Sequence, residues 1–164
     1  MTGIEILKKI PLFKFCSNQD LIKLFNLMQK VSFNEGDIVF RRGDVGDALY
    51  LIREGEVEVL AVAPDKDADD EDVVSVLGVG ELFGEMALVE GEPRSATIRC
   101  KSPSKLLRLP KSYFEELVHK DHELAYKIYR PLTAILSRRL RETTERLAVA
   151  NRVIRLMSRD RERN

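Results

Sequence analysis

The chain of 164 residues contains no tryptophan, only two cysteines and no long apolar run. The cysteines, Cys16 and Cys100, are far apart in sequence and predict buried free thiols in a reducing compartment, with a disulfide as the less favoured alternative. No apolar run approaches the roughly 18 residues that a membrane-spanning helix requires, and the N-terminus lacks the pattern of a signal peptide. We therefore expect a cytoplasmic protein without a membrane span.

An excess of charge of either sign is also missing, since the chain has 27 basic and 27 acidic residues. A net charge of zero argues against a surface built for nucleic-acid binding. The charges are nevertheless uneven: residues 65–72 are strongly acidic, and the last 27 residues hold nine arginines against four acids. The acidic run predicts a solvated hairpin tip. A partner-docking or calcium loop is the weaker alternative, because the glycine and terminal glutamate of an EF-hand loop are absent.

Three segments differ in the spacing of their apolar residues. Residues 1–30 have helical spacing, which Pro11 divides into two pieces, and Ser17 or Asn18 is the expected N-cap of the second. Residues 31–110 show short alternating runs bounded by Gly, Asp and Pro, which predict an antiparallel, jelly-roll-like β-roll. The fold class expected is therefore mainly β with flanking helices at both ends.

The third segment, residues 111–164, returns to helical spacing. It predicts a short helix over residues 111–119 and a long one over about 122–158, with a kink or break at Pro131. Beyond that proline, apolar residues recur every seven positions, as in a dimeric coiled coil. One seam contains Leu140, Leu147 and Ile154, and its companion contains Leu136, Thr143, Ala150 and Met157. The alternative is an amphipathic helix that lies over its own β-roll, or a frayed tail.

Residues 80–97 carry the strongest functional signal and read Gly-Glu-Leu-Phe-Gly-Glu-Met-Ala-Leu-Val-Glu-Gly-Glu-Pro-Arg-Ser-Ala-Thr. Glycines allow backbone amides to come close to a ligand oxygen. Arg94 offers a planar fork of donors that suits a phosphate diester. Glu85 can accept a hydrogen bond from a sugar hydroxyl. Together these residues predict a pocket for a small anionic sugar phosphate.

This segment resembles the phosphate-binding cassette of cyclic-nucleotide-binding domains. That family includes the catabolite activator protein, the regulatory subunits of cyclic-AMP-dependent kinase and cyclic-nucleotide-gated channels. Its pattern of Gly-Glu-Phe/Leu-Phe-Gly-Glu-x-Ala-Leu, a spacer and Arg-Ser/Thr/Ala-Ala-Thr is filled at every position. The resemblance runs from about residue 9 to residue 140 and implies a domain that binds a cyclic nucleotide.

The resemblance also implies roles for individual residues. Arg94 would bind the cyclic phosphate, and Glu85 would hold the ribose 2′-hydroxyl. A short helix beginning near Gly84 would direct free backbone N–H groups at the anion. The remaining cassette contacts would come from Phe83, Gly84, Met86, Ala87, Ser95 and Ala96, with Leu82 and Val76 beside Phe83 in the pocket floor.

The sequence says less about which residues would contact the purine base. In the family the last helix caps the purine, so the candidates are Leu136, Arg139 and Leu140. Arg139 would stack on the purine or bond its edge, or it would be a solvated flank of the coiled coil. Ser95 favours cAMP over cGMP, because several cGMP-preferring relatives have Thr at that position.

Competing functions are less well supported. His119 and His122, beside Asp121 and Glu123, have a spacing that invites a metal site, but no cysteine or third histidine lies near them in sequence, so a loop or cap role is preferred. No catalytic motif appears, and too few residues follow the long helix for a helix-turn-helix.

We expect no enzyme, no metal and no specific nucleic-acid partner. The protein is interpreted as a cyclic-nucleotide sensor that signals through its C-terminal helix to an unidentified effector protein, with a homodimer through that helix as an option. The alternatives are a β-roll interaction module without a ligand, or a regulatory fragment of a larger channel or transcription factor.

Overall fold

The computed structural model describes residues 3–62, 71–89 and 91–161. The N-terminal part comprises α1 (Gly3–Lys8), a single 3₁₀ turn (Pro11–Phe13) and α2 (Asn18–Leu27). The strands are β1 (Gln29–Phe33), β2 (Ile38–Phe40), β3 (Ala48–Glu54), β4 (Val57–Val62), β5 (Glu71–Leu77), β6 (Leu82–Phe83), β7 (Thr97–Cys100) and β8 (Ser104–Pro110). Helix α3 (Met86–Val89) lies between β6 and β7, and α4 (Lys111–Lys120) and α5 (His122–Arg161) follow β8.

The described strands form two four-stranded antiparallel sheets. One has the order β1-β8-β3-β6 and the other β2-β7-β4-β5. Strands adjacent in sequence therefore often belong to different sheets, as in a β-roll. The predicted fold class, a β-roll between N-terminal helices and a long C-terminal helix, is confirmed.

Strand β3 is buried on both faces because it separates two hydrophobic cores. Its even-numbered residues, among them Tyr50 and Ile52, pack between the two sheets. Leu49 and Leu51 point the other way, into a core shared with the helices. The first five residues of β3 are buried, as expected for a strand covered on both faces.

The start of α2 is defined by a capping box. The Ser17 side chain accepts a hydrogen bond from the Asp20 backbone N–H, and the Asp20 carboxylate accepts one from the Ser17 N–H. Of the two predicted N-caps, Ser17 is therefore the one observed.

Helix α5 passes through Pro131 without a break, so of the predicted kink or break the break does not occur. Proline removes one backbone donor from the helix. Packing of the first half of α5 offsets that loss, because Ile128 and Leu132 on either side of the proline are buried in the core shared with the helices. Only the division between α4 and α5, at Asp121, interrupts the helical segment.

The second half of α5 is exposed. Leu140, Leu147 and Ile154, which form the predicted seam, have 69%, 59% and 60% of their surface accessible. The apolar seam of this half therefore does not pack on the β-roll, although Arg146 Nη1 donates to the Val74 carbonyl of β5 at 3.3 Å. Within the described ranges, no helix is both long and apolar enough to cross a membrane.

Residues 63–70, which contain most of the acidic run, lie outside the described residues. The strands that flank them do pair, with Val62 opposite Glu71. Both cysteines are free thiols. Burial, followed by the Asp20 carboxylate, raises the pKa of the Cys16 thiol to about 11, so this thiol is protonated at neutral pH.

Candidate functional site

A cavity of about 110 Å³ lies against β6, α3 and the segment that leads into β7. Arg139 on α5 also lines it, as do apolar residues from both sheets. The complete lining is Phe40, Val59, Leu77, Phe83, Gly84, Glu85, Met86, Glu92, Pro93, Arg94, Ser95, Ala96, Ile98 and Arg139. The cavity therefore combines two acids, two arginines and an apolar wall.

Arg94 is the buried cation of the cavity, with 5% of its surface accessible. Its backbone N–H donates to the Asp44 carbonyl at 2.9 Å, which anchors the residue before β7. The guanidinium carbon lies 4.0 Å from the centre of the Phe40 ring, so the cation rests on an aromatic face. Burial lowers the pKa of Arg94, whereas Tyr50 and Asp47 act in the opposite direction.

Two acceptors of the protein itself orient the Arg94 guanidinium. Nη1 donates to the Gly84 carbonyl and Nη2 to Asp47 Oδ1, both at 3.2 Å. Asp47 also accepts from Arg108 Nη2 at 2.5 Å, so one carboxylate serves two arginines. Arg94 Nε is buried and has no hydrogen-bond partner within the described part of the chain. Arg94 is thus held in place with donor capacity left unused.

Gly84 is the residue that allows this close approach. Its φ of +72° lies in the left-handed region, which side chains disfavour. A Cβ atom at this position would also lie 2.7 Å from Arg94 Nη1 and 3.1 Å from the Ala48 carbonyl oxygen. Both conformation and space therefore require glycine here.

Glu85 is the buried acid of the cavity, whereas Glu92 is exposed, and Glu85 is paired with Arg139 across a sequence separation of 54 residues. Glu85 is 5% accessible, and its Oε1 lies 2.6 Å from Arg139 Nη1. Arg139 Nη2 also donates to the Leu82 carbonyl at 2.5 Å. In this structure Arg139 therefore joins α5 to the cassette through Glu85 and is not a solvated flank.

Ser95 and Met86 form the rim of the cavity near Arg94. The Ser95 hydroxyl donates to the Met86 sulfur at 3.5 Å, which is a weak interaction. A better acceptor, such as a phosphate oxygen, would compete readily for this hydroxyl. Helix α3 begins at Met86, two residues after Gly84.

The apolar wall includes four residues for which the sequence predicted no role: Phe40, Val59, Leu77 and Ile98. All four belong to the β2-β7-β4-β5 sheet and belong to or pack against the core between the sheets. Alternation along β4 and β7 could have assigned Val59 and Ile98 to an inward face. It could not have distinguished a cavity wall from solid core.

Most of the predicted site residues meet at this cavity. The lining includes Phe83, Gly84, Glu85, Met86, Arg94, Ser95, Ala96 and Arg139. Ala87 lies in α3, and its side chain is outside what the structure describes. Leu136 and Leu140, the other two candidates for the base end, do not line the cavity, and Leu140 is largely exposed.

Two of the three residues predicted for the pocket floor do not line the cavity. Phe83 contributes to it as expected, but Leu82 is not part of the lining. Val76 points outward and is 41% exposed, whereas its neighbour Leu77 lines the cavity. A shift of one residue along a strand moves a side chain to the opposite face.

The two histidines considered for a metal site lie on different helices. His119 is in the last turn of α4, and His122 is the first residue of α5. The helical spacing that would have aligned them is therefore interrupted at Asp121. No group of three or more His, Cys, Asp or Glu suited to a metal ion occurs among the residues described.

Comparison with known proteins agrees with this arrangement. Residues 30–121, more than half of the chain, match the family model described as "Cyclic nucleotide-binding domain". The chain belongs to the cyclic nucleotide-binding domain family. The matched region contains β1 to β8, the whole cassette and α4.

Individual relatives span several kinds of protein within this family. The chain is 34% identical over 112 residues to a cAMP-dependent protein kinase regulatory subunit of Blastocladiella emersonii, covering 68% of this chain and 27% of the relative. It is 30% identical over 125 residues to a cGMP-dependent protein kinase of Drosophila melanogaster, covering 75% of this chain and 13% of the relative. The chain thus spans less than a third of the length of these two relatives.

A solved cyclic nucleotide-binding domain from Methylobacillus flagellatus is similar over most of both chains. The TM-score is 0.77 at 31% identity, and the match covers 87% of this chain and 79% of that one. The similarity therefore includes the helices as well as the β-roll.

Proposed function

We propose that this protein binds a cyclic nucleotide, cAMP in preference to cGMP, in the cavity around Arg94, and reports its presence through α5. The observation that carries the proposal is the buried Arg94 guanidinium beside Glu85 in one cavity. A buried cation needs a compensating anion. Asp47 compensates Arg94 in part, and a cyclic phosphate would take up the donor capacity that remains.

The polar and apolar parts of the cavity suit the parts of a nucleotide. Arg94 and Ser95 would bind the phosphate, Glu85 the ribose 2′-hydroxyl, and the wall of Val59, Leu77 and Ile98 the purine. Backbone N–H groups of Gly84, Met86, Ala87 and Ala96 would complete the phosphate site, with Phe83 beneath it. Ser95 and the relationship to a cAMP-dependent kinase subunit support cAMP, while the relationship to a cGMP-dependent kinase keeps cGMP as an alternative.

Binding would require α5 to move. The cavity of about 110 Å³ is smaller than the roughly 300 Å³ at which ligand pockets usually begin. Arg139 Nη1 also donates to Glu85 Oε1, one of the two carboxylate oxygens that a ribose hydroxyl could approach. A nucleotide whose hydroxyl competed for that oxygen would weaken the contact to Arg139 and change the position at which α5 is held. The helix would then settle again over the bound base.

We assign a separate role to each part of the chain. Residues 1–30 would brace the start of α5, residues 31–110 would hold the nucleotide with the cassette at 80–97, and residues 111–164 would form the lid and the output surface. The exposed seam of α5 would form a homodimer and contact an unidentified effector protein. This role is regulatory binding without catalysis.

Calorimetric titration with cAMP and cGMP tests the proposal. The wild type is expected to bind cAMP in the micromolar range or tighter, and Arg94→Ala to bind about 10- to 100-fold more weakly, as loss of charged hydrogen bonds predicts. Arg99→Ala is the matched control, because Arg99 lies on β7 but pairs with Glu58 and does not line the cavity. Circular dichroism shows whether each variant is folded.

A wild-type protein, freed of co-purified ligand, that binds neither nucleotide would overturn the proposal. The exposed apolar seam of α5 would then favour the second candidate function, a β-roll interaction module that assembles through this helix. Equal affinity of wild type and Arg94→Ala would show that nucleotide binds elsewhere on the protein.

A further inference from the structure

A second cleft lies away from the Arg94 cavity, between α1 and the ends of β3 and β5. It is about 450 Å³ in volume, and its lining consists of Ile6, Lys9, Arg53, Glu54, Val79 and Gly80. None of these residues lines the Arg94 cavity. The cleft has a volume typical of pockets that bind small molecules.

Arg53 gives this cleft a guanidinium group. It is the sixth residue of β3, where the strand leaves the core, and its side chain lines the cleft. Its Nε is buried without a hydrogen-bond partner in the described ranges, so a ligand in the cleft would reach the other donors of the guanidinium. A guanidinium is a planar fork of donors that binds carboxylate or phosphate, which identifies the type of ligand.

The charge balance of the cleft favours an anion. Lys9, in the turn that follows α1, supplies a second cation. Glu54 is the acid in the lining, and it is already paired with Lys105, whose Nζ lies 2.8 Å from its Oε2. The hydrogen bond to Lys105 lowers the pKa of Glu54, which therefore stays ionised and paired at neutral pH. Arg53 and Lys9 together thus leave an excess of positive charge.

The remaining walls are apolar. Ile6 faces the cleft from α1, and Val79, which is 65% exposed, faces it from the turn after β5. Backbone hydrogen bonds hold this turn against β3: the Gly80 N–H donates to the Ile52 carbonyl at 2.9 Å, and the Ile52 N–H donates to the Glu81 carbonyl at 3.0 Å. The cleft is therefore built from fixed backbone on its strand side.

We propose that this cleft is a second ligand site, which takes a small molecule with one anionic group, a phosphate or carboxylate, attached to a short apolar body. The anion would accept from the Arg53 guanidinium and the Lys9 ammonium, and the apolar body would lie against Ile6 and Val79. The cleft is distinct from the Arg94 cavity, since the two share no lining residue, although Gly80 in its lining is also the first residue of the cassette.

Nuclear magnetic resonance of the isotope-labelled full chain, without nucleotide, tests the proposal. Hexyl phosphate, hexanoate and inorganic phosphate serve as probes, and the reporters are the Gly80 amide and the Arg53 Nε–H signal. Hexyl phosphate or hexanoate is expected to shift both reporters saturably, and the tighter of the two identifies the anionic group. Inorganic phosphate is expected to bind more weakly, because it lacks an apolar body.

Three variants test whether Arg53 binds the probe. Arg53→Met should weaken binding of the preferred probe at least about tenfold, because it keeps the apolar stem and removes the donors. Arg53→Lys should recover only part of the affinity, since it restores charge without the planar fork. Arg99→Met, at a partly buried arginine of the other sheet, should leave the affinity unchanged.

The wild-type titration alone can overturn the proposal, so it does not depend on whether Arg53→Met folds. Absence of saturable shifts at Gly80 and Arg53 with every probe would overturn it. Shifts confined to Arg94 and Ser95, or to the exposed half of α5, would do the same. Unchanged affinity in a folded Arg53→Met protein would remove Arg53 from the site and with it the proposal.

Discussion

At the scale of single residues, the cassette depends on how closely Arg94 approaches the backbone. The Gly84 carbonyl accepts a hydrogen bond from the Arg94 guanidinium at 3.2 Å. A side chain at position 84 would collide with that guanidinium. The Asp47 carboxylate accepts a second hydrogen bond from the same guanidinium. The guanidinium is therefore positioned before any ligand arrives, which reduces the ordering that binding requires.

Gly84→Ala is expected to lose both stability and nucleotide affinity. Its φ of +72° costs a side chain about 1–2 kcal/mol, and the contact of 2.7 Å with Arg94 Nη1 forces the guanidinium to move. Chemical denaturation and cAMP titration measure the two losses, and we expect affinity to fall at least about tenfold.

Gly36→Ala is the matched control for this substitution. Gly36 has a φ of +84°, but a Cβ there would meet nothing within 4 Å. It should therefore lose about 1–2 kcal/mol of stability from strain alone and keep its affinity for cAMP. If Gly84→Ala behaved like Gly36→Ala in both measurements, close packing against Arg94 would contribute neither to stability nor to cAMP affinity.

At the scale of secondary-structure elements, Asp20 links α2 to α5. Its carboxylate caps α2 through the Ser17 N–H and also accepts from Lys127 Nζ at 3.1 Å. Burial by itself raises the pKa of Asp20. The hydrogen bonds from Ser17 and Lys127 outweigh burial and hold the pKa below its ordinary value of 3.8.

Asp20→Asn is expected to lower the free energy of unfolding by about 1 kcal/mol at pH 7. Because the folded-state pKa is depressed, the contribution of the carboxylate is fully present above its unfolded-state pKa and is lost as pH falls through the lower, folded-state value. Denaturation at several pH values should therefore show the difference between wild type and variant shrinking in acid, below about pH 4.

Lys127→Met serves as the companion variant, because it removes the ion pair with Asp20, together with the exposed one to Glu123, and leaves the cap of α2 intact. This variant should lose part of the same free energy of unfolding at pH 7. Its difference from wild type should also shrink in acid. A difference between wild type and Asp20→Asn that stayed constant down to strong acid would contradict the assignment of the ion pair to stability.

At the scale of the whole molecule, α5 divides into a buried and an exposed half. Residues such as Leu124, Ile128 and Leu132 are 1% accessible and pack on the helical core. Beyond Arg139 the helix carries a seam of exposed apolar residues spaced seven apart. A second copy would bury the same seam on both partners, as a two-fold symmetric dimer does.

We expect sedimentation to find a species with the mass of two chains of 18.8 kDa each. Leu147→Glu should shift it to one chain, because the seam would then place a carboxylate between two helices. Ala148→Glu adds the same charge at a neighbouring exposed position outside the seam and should leave the dimer intact. Dissociation by both variants, or a wild-type monomer at high concentration, would exclude the seam as the interface.

Much of the fold could be predicted because its signals are local. Apolar alternation located the strands, and Ser17 lies at the N-cap that its side chain favours. Pro131 was misleading, because the cost of one missing donor is local, whereas the packing of Ile128 and Leu132 that offsets it is tertiary. For the site, the cassette was predicted as a unit because its residues lie within eighteen positions of one another.

The amino-acid sequence by itself determined the chemistry of this protein: an arginine, an acid and glycines, spaced so that one turn and one short helix bring them together. Only the tertiary structure decided which side chains contact those groups. Asp47 reaches Arg94 across 47 residues, and Arg139 reaches Glu85 across 54. Spacing of apolar residues encodes which side of a strand or helix is buried, but pairing between distant side chains depends on how the two sheets and α5 pack. The contacts that orient Arg94 and occupy Glu85 could therefore be seen only in the folded chain.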